Sequence, residues 1–157
     1  MAIEKVKEYF RQWNMEEKIL EFEVSSATVE LAAKALNCEP KRIAKSLSFM
    51  VNNKYILVVT AGDAKIDNSK YKLQFGTKAK MLTSDETVTY IGHAVGGVCP
   101  FGVKDEVVTY LDISLKRFTT VFPACGSSNS AIELRIDELE KYSNAKSWVD
   151  VCKAWQE

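Results

Sequence analysis

Histidine occurs once in the 157 residues, at His93, and proline only three times. No run of about 18 consecutive apolar residues is present, so no segment is expected to span a bilayer as a helix. The start, MAIEKVKEYFRQW, is charged and helix-like and lacks the basic-then-apolar order of a signal peptide, which places the expected compartment in the cytosol. Cys38, Cys99, Cys125 and Cys152 stand far apart, and no CxxC pair exists to hold zinc or run redox chemistry. They are expected to be free thiols in a reducing compartment. With one histidine, a Cys-Cys-His metal site would need long-range assembly, so neither metal nor cofactor is expected. A covalent hydrolase of the Ser-His-acid or Cys-His type would have to use His93, and neither Cys99 nor Cys125 sits in a nucleophile elbow.

What is present is 46% hydrophobic and 27% charged residues, enough for one compact domain over 1–157 with a real core. The formal net charge is zero, but its distribution is uneven. Residues 41–80 carry nine basic side chains against Asp63 and Asp67, a local +7, whereas residues 1–40 come to −3 and residues 81–157 to −4. A basic middle between acidic ends suits a partner with a few phosphates better than long duplex DNA; a face of solvated lysines is the plainer alternative.

Ile3, Val6, Phe10 and Trp13 recur at helical spacing and predict an amphipathic N-terminal helix. Alternation over Ile19–Val24 predicts a half-buried strand, and Ser25 and Ser26 are placed to cap a helix that carries Leu31, Ala32, Ala35 and Leu36 inward and ends at Asn37. Pro40 opens a short turn; SLSFMV and YILVVT, separated by Asn52 and Asn53, predict a β-hairpin. Asp67 caps NSKYKLQF, Thr83 with Glu86 has the form of a capping box, and Asp137 with Glu140 repeats it before a late helix. Strands are expected at 107–111, 119–124 and 131–135. Short helices mixed with non-alternating strands give an α+β domain with a mostly antiparallel mixed sheet curled into a barrel-like core, and not a doubly wound βαβ fold.

Three segments carry candidate chemistry. Gly92 to Gly102 packs four glycines and Pro100 into eleven residues, which lets backbone N–H groups approach a ligand. It lacks the GK[ST] of a phosphate-binding loop and the GxGxxG spacing, and an ordinary tight turn remains open. Phe122 to Ser130 offers the short polar side chains of Ser127 and Ser128 and the backbone of Gly126 behind a strand. Lys45 stands between apolar neighbours at the entry to a buried strand, where a lysine is costly unless it meets an anion or a polarised oxygen. A surface lysine laying its stem along the strand is the alternative.

Taken in order, ATVELAAKALNCEPKRIAKSL, GDAKID (62–67), GHAVGGVCPFG (92–102) and FPACGSSNSAIEL (122–134) resemble the YbaK/EbsC family, relatives of the editing domain inserted in bacterial prolyl-tRNA synthetases. The resemblance spans nearly the whole chain. It implies a barrel-like α+β domain that hydrolyses mischarged aminoacyl-tRNA in trans, without metal or nucleotide. Lys45 matches the lysine tied to activity, and Gly96, Gly97, Val98, Cys99 and Pro100 form the GxxxP loop at the aminoacyl end. Phe101, His93, Gly126, Ser127 and Ser128 are the further expected substrate contacts. The implied partner is the acceptor end of aminoacyl-tRNA, expected to be tRNA-Pro, with transient contact to prolyl-tRNA synthetase and no role for DNA or membrane. One departure stands out: where the family type carries a serine and an acid on the strand after the second loop, this chain has Ala124 and Ala131. That departure weakens the case for cyclisation of a substrate thiol and leaves direct water attack on an alanyl, seryl or threonyl ester, already activated, as the open alternative. A non-catalytic module that binds nucleic acid or a small metabolite through the same basic face is the alternative from another class.

Overall fold

A computed structural model describes residues 2–155. The N-terminal helix, α1 (Ala2–Arg11), turns Ile3, Val6 and Phe10 inward. Phe10 meets the ring of Phe101 at 4.7 Å and that of Tyr142 at 5.6 Å, which ties the N-terminus to both the glycine-rich loop and the C-terminal helix. The strand expected over 19–24 shrinks to β1 (Leu20–Glu21), and both residues are exposed. Its partner is a two-residue piece of chain rather than a sheet, so alternation there has no core to face.

Helix α2 (Val29–Leu36) begins three residues after the serines expected to cap it: the Thr28 side chain accepts from the Leu31 N–H, while the Ser25 hydroxyl accepts from Ala27 N–H. It buries Ala32 and Ala33 and leaves Leu31 exposed. Asn37 ends it in the left-handed region, φ 54°. The hairpin follows as β2 (Ile43–Val51) and β3 (Lys54–Ala61), with Asn52 and Asn53 both at positive φ, the geometry a two-residue hairpin turn needs.

β4 (Lys65–Ile66) leads into α3 (Asn68–Phe75), capped by the Asp67 carboxylate, which accepts from the Ser69 and Lys70 N–H groups. α4 (Ser84–Glu86) opens on the Thr83–Glu86 capping box and continues as a π-helical turn over Thr87–Ile91. β5 (Val108–Asp112), β6 (Thr120–Pro123), β7 (Ser130–Ala131) and β8 (Leu134–Arg135) come next. The strand expected over 131–135 is thus two, because the chain changes partner: β7 pairs with β1 and β8 with β6. β8 runs straight into α5 (Ile136–Tyr142), so the carboxylate that caps its N-terminus is Glu138, accepting from Arg135 N–H at 2.9 Å, and not the Asp137–Glu140 pair. β9 (Ser147–Val149) and β10 (Cys152–Lys153) close the described chain.

The main sheet has the order β8-β6-β2-β3-β5-β9. Its longest pairing is the antiparallel β2–β3 hairpin, and β6–β8 is also antiparallel, whereas β2–β6, β3–β5 and β5–β9 run parallel. The result is one α+β domain whose mixed sheet curls into a half-barrel around a core that includes Phe49, Val58, Tyr71, Leu111 and Leu134. Among the described residues no helix is long and apolar enough to cross a membrane.

Candidate functional site

β2 and β6 pair only at Ile43–Phe122 and Ala44–Pro123. Pro123 has no N–H to extend the ladder, and the chain then leaves the sheet through the 124–130 loop. Farther along, the same edge of β2 is taken up by the segment around Met81: Met50 N–H donates to Lys80 O at 2.9 Å and Leu82 N–H to Ser48 O at 3.1 Å. Between the two lies an uncovered stretch of β2, and a cavity of about 330 Å³ opens there. Its walls come from residues 43–48 of β2, the first turn of α2, the 95–98 stretch of the glycine-rich loop, the π-helical turn at Thr87, and Ala124 and Ala131.

Lys45 is the one charged residue on that wall among the described residues. Its Nζ donates to Gly62 O at 3.4 Å. Burial pushes its pKa below the usual lysine value, with the nearby Cys152, Asp63 and Glu30 opposing that shift. Gly62 lies so close to neighbouring backbone that a Cβ would run into the Pro40 carbonyl and come within 2.8 Å of Val29 Cγ1. The GDAKID segment therefore places a carbonyl against the ammonium, and only glycine fits there.

The glycine-rich loop divides its residues between cavity and support. Gly96, at φ 97°, and Val98 reach the wall. Their N–H groups have no protein partner among the described residues, whereas Gly97 N–H is spent on Ala94 O at 3.0 Å. Gly97 instead packs backbone to backbone against the second loop: its carbonyl accepts from Gly126 N–H at 3.0 Å, and a Cβ would sit 2.6 Å from Ser127 N. Cys99 and Phe101 are fully buried in the core. His93 is buried too, with Nε2 donating to Phe101 O at 2.8 Å and Nδ1 unpartnered. That bond fixes the Nε2–H tautomer. Burial holds the His93 pKa below the usual value despite the Phe101 bond, so the ring is a neutral strut beneath the loop and no part of the cavity wall. Pro100 borders a separate, smaller hollow of about 140 Å³, with Tyr9 and Gly102, and not the Lys45 cavity.

In the second loop the Gly126 N–H is engaged by Gly97, and the Ser127 hydroxyl by Asn129 Oδ1 and Ser130 Oγ, at 2.9 and 2.7 Å. Ser128 offers its carbonyl to Ser26 N–H at 2.6 Å. These three residues hold the two loops and the entry to α2 together rather than lining the cavity. Lys45, Gly96 and Val98 are thus the expected site residues that the fold brings to one cavity. Others on the wall carried no sequence signal: Ser46 and Ser48 beside Lys45 on β2, Thr87, and the exposed Met81 and Val95.

The aminoacyl-tRNA editing domain model matches residues 23–142. The uncharacterized protein YwhH of Bacillus subtilis is 55% identical over 157 residues, covering 99% of this chain and 100% of its own length. The proline–tRNA ligase of Geobacillus thermodenitrificans is 34% identical over 102 residues, 64% of this chain, and the chain spans 18% of that ligase. Among solved structures, a candidate trans-editing enzyme for prolyl-tRNA synthetase superposes with a TM-score of 0.87 at 25% identity, covering 97% of both chains.

Proposed function

The chain belongs to the aminoacyl-tRNA editing domain family, and from that premise we propose that it is a deacylase that clears a small, wrongly attached amino acid from tRNA-Pro, acting in trans in the cytosol as one domain over 1–157. The observation that carries this reading is Lys45, the one charged residue among the described residues on the wall of a largely apolar cavity that is also lined by Gly96 and Val98, whose N–H groups have no protein partner among the described residues.

In the reaction, a water oxygen bonds to the ester carbonyl carbon, the carbonyl oxygen takes up negative charge, and the bond to the ribose oxygen breaks. One proton of the water passes to that ribose oxygen, and the free amino acid leaves. The Gly96 and Val98 N–H groups are oriented donors for the oxyanion, each such donor being worth about a hundredfold to a thousandfold in rate. Lys45 adds positive charge at the ester or at the terminal phosphate of the acceptor strand, in a setting where little water screens it. Among the described residues no carboxylate or imidazole lines the cavity to serve as base, so the burden falls on positioning an ester that is already reactive. This reading calls on no metal and no cofactor. Transient contact with prolyl-tRNA synthetase would deliver the substrate before it dissociates.

Deacylation of tRNA-Pro carrying cysteine, alanine, serine or threonine, by the wild type and by Lys45→Ala, tests the reading. Release from at least one species, lost in the variant, supports it. Binding of tRNA without turnover of any species assigns the chain to a binding module instead.

A further inference from the structure

Besides Lys45 the cavity wall carries hydroxyls from Ser26, Thr28, Ser46, Ser48, Thr87 and Ser130; those of Ser26, Thr28 and Ser130 are engaged by Ser128 O, Leu31 N–H and the Ser127 hydroxyl, and the other three form a group with a direction. Ser48 and Thr87 hydroxyls meet at 3.3 Å. Thr87 already donates its hydroxyl proton to Thr83 O at 2.8 Å, so Ser48 must be the donor in the pair, and its own lone pairs are left to accept. Two residues earlier on the same face of β2, the Ser46 hydroxyl is buried with no hydrogen-bond partner among the described residues. Both serines and Thr87 line the cavity. Two residues along a strand set their Cα atoms about 6.6 Å apart with both side chains on one face. An oxygen taken up between the two hydroxyls would accept from Ser46 and donate to Ser48, completing a chain of hydroxyls that ends on Thr83 O.

We infer that Ser46, Ser48 and Thr87 form a selectivity shelf for an aminoacyl group bearing a side-chain hydroxyl, serine or threonine. The inference rests on the deacylase reading above and names its substrate class. A methyl group in the same place satisfies neither serine, and a buried polar group left unpaired costs about 1–3 kcal/mol. A site built to hydrogen-bond a substrate hydroxyl discriminates far more strongly than one that measures a methylene. The competing occupant is the α-ammonium common to every aminoacyl ester. Among the described residues its positive charge finds no carboxylate on this wall, where the one charged group is the like-charged Lys45.

The test compares seryl-, threonyl- and alanyl-tRNA-Pro with the wild type and with Ser46→Ala, which removes a single oxygen from a strand whose backbone pairing with β3 is untouched. The wild type is expected to release serine or threonine at least about tenfold faster than alanine, and Ser46→Ala to collapse that ratio toward one, the equivalent of one hydrogen bond to a buried group. A wild type that prefers alanine, or a variant that slows all three alike and keeps the ratio, overturns the shelf and assigns Ser46 to the α-ammonium. No release from any species overturns the deacylase reading. In that case, titration of seryl and alanyl 3′-amide analogues of adenosine still decides the shelf: equal affinities overturn it, and tighter seryl binding lost in Ser46→Ala upholds it.

Discussion

The Lys45 ammonium and the Gly62 carbonyl oxygen lie 3.4 Å apart, joining two residues seventeen positions apart in the chain. Gly62 O is the one partner that holds the ammonium in the cavity among the described residues, and the Pro40 carbonyl pressing on Gly62 holds Gly62 in turn. The lysine is thereby aimed by backbone and not by a carboxylate. Its charge remains available to a substrate oxygen, where a salt bridge would have neutralised it.

Replacing Lys45 with alanine should lower the deacylation rate by at least about a hundredfold, as loss of a preorganised charge at a reacting ester does. Burial depresses the lysine pKa, so activity that depends on the ammonium should fade on the alkaline side at a lower pH than an exposed lysine would allow. An alkaline rate profile, corrected for spontaneous ester hydrolysis, checks this; an alkaline limb that stays the same in Lys45→Ala would show that the charge is not used.

Gly62→Ala puts a methyl group against Pro40 O and Val29 Cγ1. Overpacking of this kind costs about 1–3 kcal/mol. Because the displaced carbonyl is the one that aims Lys45, the loss of rate should exceed what partial unfolding explains. Thermal melting beside single-turnover kinetics below the melting point separates the two effects.

Gly97→Ala acts at the joint between the two loops, with a Cβ placed 2.6 Å from Ser127 N and 2.7 Å from Gly126 C. The glycine-rich loop must move away, taking the Gly96 and Val98 N–H groups with it. Activity should fall by about tenfold or more, with an effect on stability of about 1–3 kcal/mol. An alanine variant as active as the wild type would remove both N–H groups from the oxyanion role.

Lys45 was legible in the sequence because a lysine between Ala44 and Ser46 at a strand entry breaks the apolar run. The capping residues Asp67 and Thr83 were legible because a cap is a local hydrogen bond, complete within four residues. The capping of α2 and α5 was misplaced by a few residues, since Ser25, Ser26 and Asp137 have the right chemistry and only the trajectory of the incoming strand chooses among neighbours. Ser46 and Ser48 were silent for a different reason. A small polar residue in a strand is ordinary, and its meaning depends on the gap between β6 and the Met81 segment, which no local pattern encodes. The glycine-rich loop lies between these cases. Its glycines announced a close backbone approach, yet at Gly97 the close neighbour is the Gly126 loop and at Gly96 it is Ala27 and Ser128, while Gly96 and Val98 also border the cavity.

His93 supplies a prediction of opposite sign to the usual expectation for a lone histidine beside a glycine loop. Its ring lies under the loop, buried, with Nε2 bound to Phe101 O, and burial lowers its pKa. The unfolded chain therefore binds a proton near pH 6.5 that the folded chain refuses until a lower pH. Stability should decline as the pH falls through 6.5 toward the folded-state pKa, while above 6.5 His93 contributes no slope. The rate of deacylation, measured on protein that remains folded, should show no inflection near 6.5, because no proton of His93 reaches the cavity. His93→Gln should lower the melting temperature at pH 8 and flatten its acid-side decline. An inflection near 6.5 in the wild-type rate that vanishes in His93→Gln would place the imidazole in the chemistry instead.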